Sequence, residues 1–178
     1  MKKKYVKDLM ISVDNYATIS HNATLFDAII ELESFHNSVH EYMQPIRSIM
    51  VRDDNTKIIG KIGHIGILKA FEPKYDMVVD TDSKLPFSDY DTNYIKETMN
   101  RHKLWKEDLA DIVKVSKNIL VKDVMDPVSK RIDEDALLVE AIHKMIMYQT
   151  LALFVTKNNQ VSGILRLKDL YEEVVDNL

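Results

Sequence analysis

The sequence predicts an α/β (α+β) protein: two β-α-β-β-α repeats packed with pseudo-two-fold symmetry, with extra helices inserted between them. The first observation behind this is an ordered internal repeat. Val6-Lys7-Asp8-Leu9-Met10 returns as Val121-Lys122-Asp123-Val124-Met125, Leu25-Phe26-Asp27-Ala28-Ile29 as Leu138-Val139-Glu140-Ala141-Ile142, and Ile58-Ile59-Gly60-Lys61-Ile62 as Val161-Ser162-Gly163-Ile164-Leu165. Two copies at a spacing near one hundred residues make a tandem domain, not a solenoid. The second observation is that helical and strand-like hydrophobic periods alternate in the same order in both copies. The third is size. Each unit of about 55–70 residues is too small to stand comfortably alone, so the two must bury their apolar faces on one another.

Within each copy a short extended piece (Ala17-Thr18-Ile19; Lys130-Arg131-Ile132) leads into a helix. Thr24-Leu25-Phe26-Asp27 is a capping-box pattern that satisfies free backbone N–H groups at the first helix. The second copy has Leu137 at the cap, so Asp133 or Asp135 is expected to serve instead. The apolar stripe of that helix reads Leu138, Ile142, Met145 and Ile146. Two strands follow in each copy: Arg47–Arg52 with Lys57–Ile62, and Leu151–Thr156 with Val161–Leu165. The Asp53–Thr56 and Lys157–Gln160 segments between them are rich in Asn and Asp, which tolerate turn geometry. A second helix closes each copy, with Leu167, Leu170, Tyr171 and Val174 as its expected buried face in the second.

These patterns place the first repeat at residues 5–75, the insertion at 76–120 and the second repeat at 121–178. Asp76–Asp91 reads as an Asp-rich loop, and Asn93–Ile119 as one or two helices. Ile95 and Met99 mark one helical face, and Leu109, Ile112, Val113 and Ser116 another, with Trp105 near the joint.

Composition narrows the function. With 46% hydrophobic and 29% charged residues the chain is ordinary and globular. No apolar run approaches the ~18–20 residues that span a bilayer, and the basic start Lys2-Lys3-Lys4 has no apolar stretch after it. A net charge of −4 argues against broad nucleic-acid binding. The absence of Cys excludes disulfides, thiolate metal sites and a cysteine nucleophile, and fits a cytoplasmic location.

The Val-Lys-Asp-(Leu/Val)-Met openings, the Leu-x-(Asp/Glu)-Ala helix starts and the run Gly163-Ile164-Leu165-Arg166-Leu167-Lys168-Asp169-Leu170 resemble a tandem pair of cystathionine-β-synthase-like (CBS) domains, the Bateman module. The resemblance covers about Tyr5–Pro73 and Val121–Leu178; the insertion is similar to that of some stand-alone bacterial CBS pairs. It implies an adenosine-containing ligand of AMP, ADP or ATP type held between the copies, a homodimer, and no obligatory cofactor. It also implies a Gly, then Ser/Thr three residues on, then Asp six residues on, lining the cleft.

In the second copy these positions are Gly163, Arg166 and Asp169. An Asp there suits a ribose, because a carboxylate accepts from two hydroxyls. Arg166 replaces the Ser/Thr and adds a permanent cation suited to phosphate. The resemblance places the backbone near Pro127 and Val128 against the base. In the first copy the same positions are Gly60, Gly63 and Gly66, which lack the ribose acceptor, while Lys61 and His64 offer cations. The plainer alternative is that Asp169 only complements the helix dipole and Arg166 is solvated.

Other constellations are weak. The glycine spacing is not the dinucleotide fingerprint. Glu33, His36 and His40 have metal-compatible spacing but lack a protease-type His-Glu-x-x-His and read as the polar edge of a helix. Asp80, Asp82, Ser88 and Asp91 fall at calcium-loop positions, but Leu85 stands where the turn needs Gly. The expected function is a non-enzymatic regulatory module that binds an adenine nucleotide and acts on a separate, unidentified protein. The alternatives are a ligand-free interaction scaffold and an accessory subunit of an enzyme.

Overall fold

The computed structural model describes residues 3–38, 47–75, 78, 92–106 and 108–178. Two four-stranded sheets organise them. In the first copy, β1 (Ile11–Ser12) and β2 (Thr18–Ser20) precede helix α1 (Leu25–Ser38), strands β3 (Ser48–Arg52) and β4 (Ile58–Gly63), and helix α2 (His64–Ala70). The insertion contributes α3 (Thr92–Arg101) and α4 (Leu109–Val115). The second copy follows as α5 (Val121–Val124), β5 (Asp126–Pro127), β6 (Arg131–Asp133), α6 (Leu138–Tyr148), β7 (Ala152–Lys157), β8 (Gln160–Arg166) and α7 (Leu167–Val175). The predicted β-α-β-β-α order is present in both copies.

In each copy the strand before the helix pairs parallel to the strand after it, β2 with β3 and β6 with β7, and the chain then turns back in an antiparallel hairpin. The hairpin turns use the Asn and Asp residues as expected. Asp53 Oδ1 accepts from the N–H groups of Asn55 and Lys57, both at 2.9 Å. Asn158 and Asn159 both take positive φ (50° and 64°), the geometry a two-residue hairpin requires.

The fourth strand of each sheet comes from the other half of the chain. β5 adds antiparallel to β4 in the first sheet, Gly60 facing Pro127 and Lys61 facing Asp126. β1 adds antiparallel to β8 in the second, Ile11 facing Ile164 and Ser12 facing Gly163. The opening motifs follow their strands. Val6 is wholly buried among Ile132, Leu138, Met145 and Leu165 of the second copy, and its N–H donates to Ala136 O at 2.9 Å. Val121 is wholly buried among Leu25, Ile49 and Met50 of the first, and its N–H donates to Ala23 O at 2.9 Å. Motifs that open the copies in sequence thus dock on opposite copies in space.

Two glycines make the exchange possible. A Cβ on Gly60 would lie 2.5 Å from the Asp126 carbonyl oxygen, and one on Gly163 would lie 2.4 Å from that of Ile11. Such distances are far inside van der Waals contact, so the sites admit only Gly. At Gly163 the backbone admitted is that of β1.

The helix starts differ as their sequences do. At α1 the capping box is complete, with Thr24 N–H donating to Asp27 at 2.9 Å and Asp27 N–H to Thr24 Oγ1 at 3.1 Å. These bonds from Thr24 hold the Asp27 carboxyl below its ordinary pKa. At α6 neither Asp133 nor Asp135 caps the helix. Asp133 accepts the Asp135 N–H at 3.0 Å in a local turn, and Asp135 pairs with Lys7 at 2.7 Å. The Leu137 N–H reaches Glu140 at 3.4 Å and the Leu138 N–H donates to Lys4 O at 3.2 Å. The exchanged N-terminal arm therefore supplies the acceptor that the local sequence lacks.

Burial corrects two helix faces. On α6, Leu138, Ala141 and Met145 are buried and Ile142 partly so, while Ile146 is exposed. On α7 only Leu170 is buried; Leu167, Tyr171 and Val174 face outward. The apolar stripe on α7 is real, but the sheet covers only its Leu170 side.

The insertion is helical over its expected second part, as two helices. It is tied to the first copy: the Leu25 and Phe26 N–H groups donate to the carbonyls of Ile119 (2.8 Å) and Ser116 (3.2 Å). Leu104 is buried, and Trp105 donates from its backbone N–H to the buried Glu72 and from Nε1 to Tyr75 Oη, both at 2.9 Å. Ile112 and Ser116 are buried as expected, but Val113, Ile95 and Met99 are exposed. The Asp76–Asp91 loop is almost wholly outside the described residues. So are His40 and the four residues at calcium-loop spacing, Asp80, Asp82, Ser88 and Asp91. Among the described residues no group of three or more His, Asp or Glu could hold a metal, and no helix is long and apolar enough to cross a membrane.

Gly163→Ala should therefore destabilise the protein by about 1–3 kcal/mol, because β1 must shift to accommodate the methyl. Gly66→Ala should be neutral or stabilising by up to about 1 kcal/mol, since it lies in α2 with its nearest Cβ neighbours at 3.6 and 3.9 Å. Urea unfolding of both variants checks this; equal stability of Gly163→Ala and wild type would mean that β1 is not held against β8.

Candidate functional site

Where the two copies meet, the β4–α2 junction of one faces the β8–α7 junction of the other across a cleft of about 920 Å³. The first copy contributes Tyr16, Arg47, Ser48, Lys61, Gly63 and His64 to its walls. The second contributes Asp126, the Gln149–Ala152 segment, Arg166, Lys168 and Tyr171. Gln149 caps α6 in a left-handed conformation (φ 47°), and this bend carries Thr150 and Leu151 to the rim.

The charges are unbalanced. Arg47, Lys61, Arg166 and Lys168 line the cleft against one carboxylate, Asp126, in a chain whose net charge is −4. Lys61 pairs with Asp126 at 3.2 Å and Lys168 with Glu172 at 2.7 Å. Among the described residues the Arg47 and His64 side chains have no ion-pair partner. Gly63 and Gly66 leave the first-copy wall bare.

Arg166 is the N-cap of α7, held in extended conformation at the end of β8. Its guanidinium forks onto Asp169: Nε donates to Oδ2 at 2.8 Å and Nη2 to Oδ1 at 2.5 Å. Both side chains are largely buried, 19% and 11% exposed. The bond to Asp169 raises the Arg166 pKa above its ordinary value, against the opposing effect of burial. Beside this pair the Tyr16 hydroxyl and Ser48 Oγ lie 3.3 Å apart. Burial pushes the Tyr16 phenol above its ordinary pKa, and the Ser48 hydrogen bond opposes that shift.

Of the residues singled out in the sequence, Arg166, Lys61 and His64 share this cleft. Asp169 does not line it and reaches it only through Arg166. Gly163 lies under β1. Pro127 and Val128 do not join Gly163, Arg166 and Asp169: β5 pairs with β4, and the Val128 N–H donates to Ile59 O at 3.3 Å. The backbone beside Gly163 is Ile11–Ser12 instead. That correction follows from the strand exchange, which the linear motifs do not encode. Sequence reasoning missed Tyr16, Arg47, Ser48, Lys168 and Tyr171. The only available signal was their closeness to the β4–α2 and β8–α7 junctions or to the strands that flank them.

Comparison with known proteins agrees with this fold. Residues 121–176 match the model of the CBS domain family. No curated protein matches the chain in sequence. Solved structures similar to it include CBSX2, a CBS-pair protein of Arabidopsis thaliana, in complex with AMP (TM-score 0.60, 16% identity, 97% of each chain covered). Another is a CBS domain-containing protein of Bacillus anthracis (0.61, 16%, covering 98% of this chain and 95% of that one). A third is the CBS domain of a bacterial CNNM/CorC-family Mg2+ transporter in complex with ATP (0.59, 16%, covering 97% and 87%). The second copy is a member of the CBS domain family, and the chain as a whole has the fold of a tandem CBS pair.

Proposed function

We propose that the protein is a non-enzymatic, cytoplasmic regulatory module that binds an adenosine-containing nucleotide of AMP, ADP or ATP type between its two CBS repeats and signals to a separate partner. The observation that carries this is the cleft itself: four cations against one carboxylate, gathered from both copies of an acidic chain. Anions are drawn to such a site, and a cleft with low-dielectric walls strengthens the attraction. Arg166, Lys61, Arg47 and His64 are placed to meet phosphates. Leu151, Leu167 and Tyr171 offer apolar and aromatic surface for a base. Gly163, Pro127 and Val128 serve as scaffold, admitting or forming the exchanged strands that shape the walls. The AMP and ATP complexes among similar folds support the ligand class. A ligand that touches both copies favours the arrangement it bridges, which is how binding becomes a signal.

The module acts as a homodimer. Ile146 and Met147 on α6, Leu167, Tyr171 and Val174 on α7, and Ile65 and Leu68 on α2 are all exposed, and closed two-fold association is the commonest way to cover such faces. The exposed Ile95, Met99 and Val113 of the insertion supply a surface for the regulated protein.

Ligand at 100-fold over Kd should stabilise the protein by about 2.7 kcal/mol. A thermal-shift series with AMP, ADP, ATP, S-adenosylmethionine and NAD reads this out; no shift with any of them favours the ligand-free scaffold. Lys61→Ala should weaken phosphorylated ligands by roughly tenfold, the loss of one charge-assisted contact. Light scattering at micromolar concentration should give twice the chain mass; a monomer across that range overturns the dimer.

A further inference from the structure

We propose that His21 makes the first copy's hold on the crossed α5 arm pH-dependent. When neutral, its ring keeps Asn22 turned toward Lys122; when protonated, it releases that amide and pairs with Asp54. The inference does not rest on the nucleotide reading.

The two places where an arm docks on the opposite copy correspond residue for residue but differ in their chemistry. In the second copy the Lys7 N–H donates to Glu134 O at 2.9 Å, Lys7 Nζ donates to Asp135 Oδ1 at 2.7 Å, and Lys157 pairs with Glu134 at 2.8 Å. In the first copy the Lys122 N–H donates to His21 O at 3.0 Å, Lys122 Nζ donates to Asn22 Oδ1 at 3.3 Å, and His21 Nε2 lies 3.3 Å from Asp54 Oδ1. His21 and Asn22 thus stand where the second copy has Glu134 and Asp135. The hydrogen bond between Lys7 and Asp135 holds the first above and the second below its ordinary pKa, and the bond to Glu134 holds Lys157 above its own. The second-copy clasp therefore stays ionised through the neutral range. The first-copy clasp contains an imidazole, the side chain that changes charge between about pH 5 and 8.

The contacts of Asn22 dictate the state of the ring. Its Oδ1 faces the Lys122 ammonium and its Nδ2 faces Asp54 Oδ1 at 3.2 Å, so both neighbours demand the same orientation of the amide. That orientation puts Nδ2, a donor, 2.9 Å from His21 Nε2. Nε2 must then accept, which makes the ring neutral with its proton on Nδ1. A proton taken from solvent at Nε2 reverses this. The new N–H meets the amide N–H donor to donor, and the acceptor in its reach is Asp54. Turning the amide over would set its NH2 against Lys122 and its oxygen against Asp54. Among the described residues Asp54 and Lys122 are the charged side chains bonded to this pair. From β3, Arg52 contributes its carbonyl to the His21 backbone N–H at 2.9 Å, a bond indifferent to the ring's charge. Protonation therefore costs Lys122 its acceptor and sets a second cation beside it. Lys122 stands on α5, which leads into β5, and Asp126 of β5 lines the cleft and pairs with Lys61.

The experiment is NMR on the full chain without ligand, titrated from about pH 8 to about pH 5.5, across the imidazole range. Long-range 1H–15N spectra of the histidine rings, with His21 assigned by its loss in His21→Gln, should show the Nδ1–H tautomer at the upper end. Amide hydrogen exchange, corrected for its intrinsic pH dependence, should show the Lys122 N–H losing about two- to fivefold of its protection as His21 titrates, the worth of one part-exposed charged contact. The Lys7 N–H, its counterpart, should lose none. His21→Gln removes the titration and Asn22→Ala cuts the relay, so each should flatten the Lys122 response; either one suffices if the other does not fold. An Nε2–H tautomer in the neutral ring, equal responses of Lys122 and Lys7, or a Lys122 response that persists in a folded variant overturns the inference.

Discussion

Val6 and Val121 occupy equivalent places, each wholly buried in the core of the copy that it does not open. Most of the architecture depends on that reciprocal docking. Each buried valine side chain is worth about 1.5–3 kcal/mol of apolar transfer, but the greater consequence is geometric. β1 and β5 can lie against β8 and β4 only because Gly163 and Gly60 put no atom between the backbones. Once the arms cross, neither copy can close its sheet without the other. Two units too small to stand alone become one body with a shared interface.

The cleft is a product of the same crossing. The pseudo-two-fold relation sets the strand-to-helix junction of one copy opposite that of the other, so residues far apart in sequence face a common space. Lys61 and Arg166 are an example: each follows its copy's buried strand glycine, and both line the cleft. The copies have nevertheless diverged there. One junction keeps an Arg and an Asp, bound to each other; the other has two glycines. An asymmetric site inside a symmetric frame allows one ligand pose to be preferred over its pseudo-symmetric mirror, because each wall offers different chemistry.

The inserted helices show how far a repeat can be elaborated without disturbing it. Among the described residues they attach at two places: the carbonyls of Ser116 and Ile119 accept from the first turn of α1, and Trp105 donates to Glu72 and Tyr75 after α2. Both contacts satisfy backbone or buried polar groups that would otherwise be orphaned. The outward side of α3 keeps Ile95 and Met99 exposed, a face that no part of the described repeat needs.

Much of the fold was legible in the residues, and the reason is locality. The capping box at Thr24, the Asn158-Asn159 turn, the alternation of Ile58–Ile62 and the duplicated motifs are all decided by neighbours within a few positions, where propensity and hydrogen-bond chemistry act directly. Arg166, Lys61 and His64 stand within four residues of a repeated glycine in the sequence, and the structure brings the three to one cleft. What sequence could not decide was anything set by contact across the chain. The apolar stripe of α7 has the right period, but only packing determines that Leu170 is buried and Tyr171 is not. The local sequence offered Asp133 and Asp135 as caps for α6, yet the acceptor came from Lys4, brought in by the exchanged arm. Pro127 was assigned to the wrong glycine because a linear motif records which strand follows it, not which sheet that strand joins. Asp169 was legible as an acceptor in the sequence; only the folded geometry shows that Arg166 forks onto it, because which groups reach a carboxylate is set by contacts across the turn from β8 to α7.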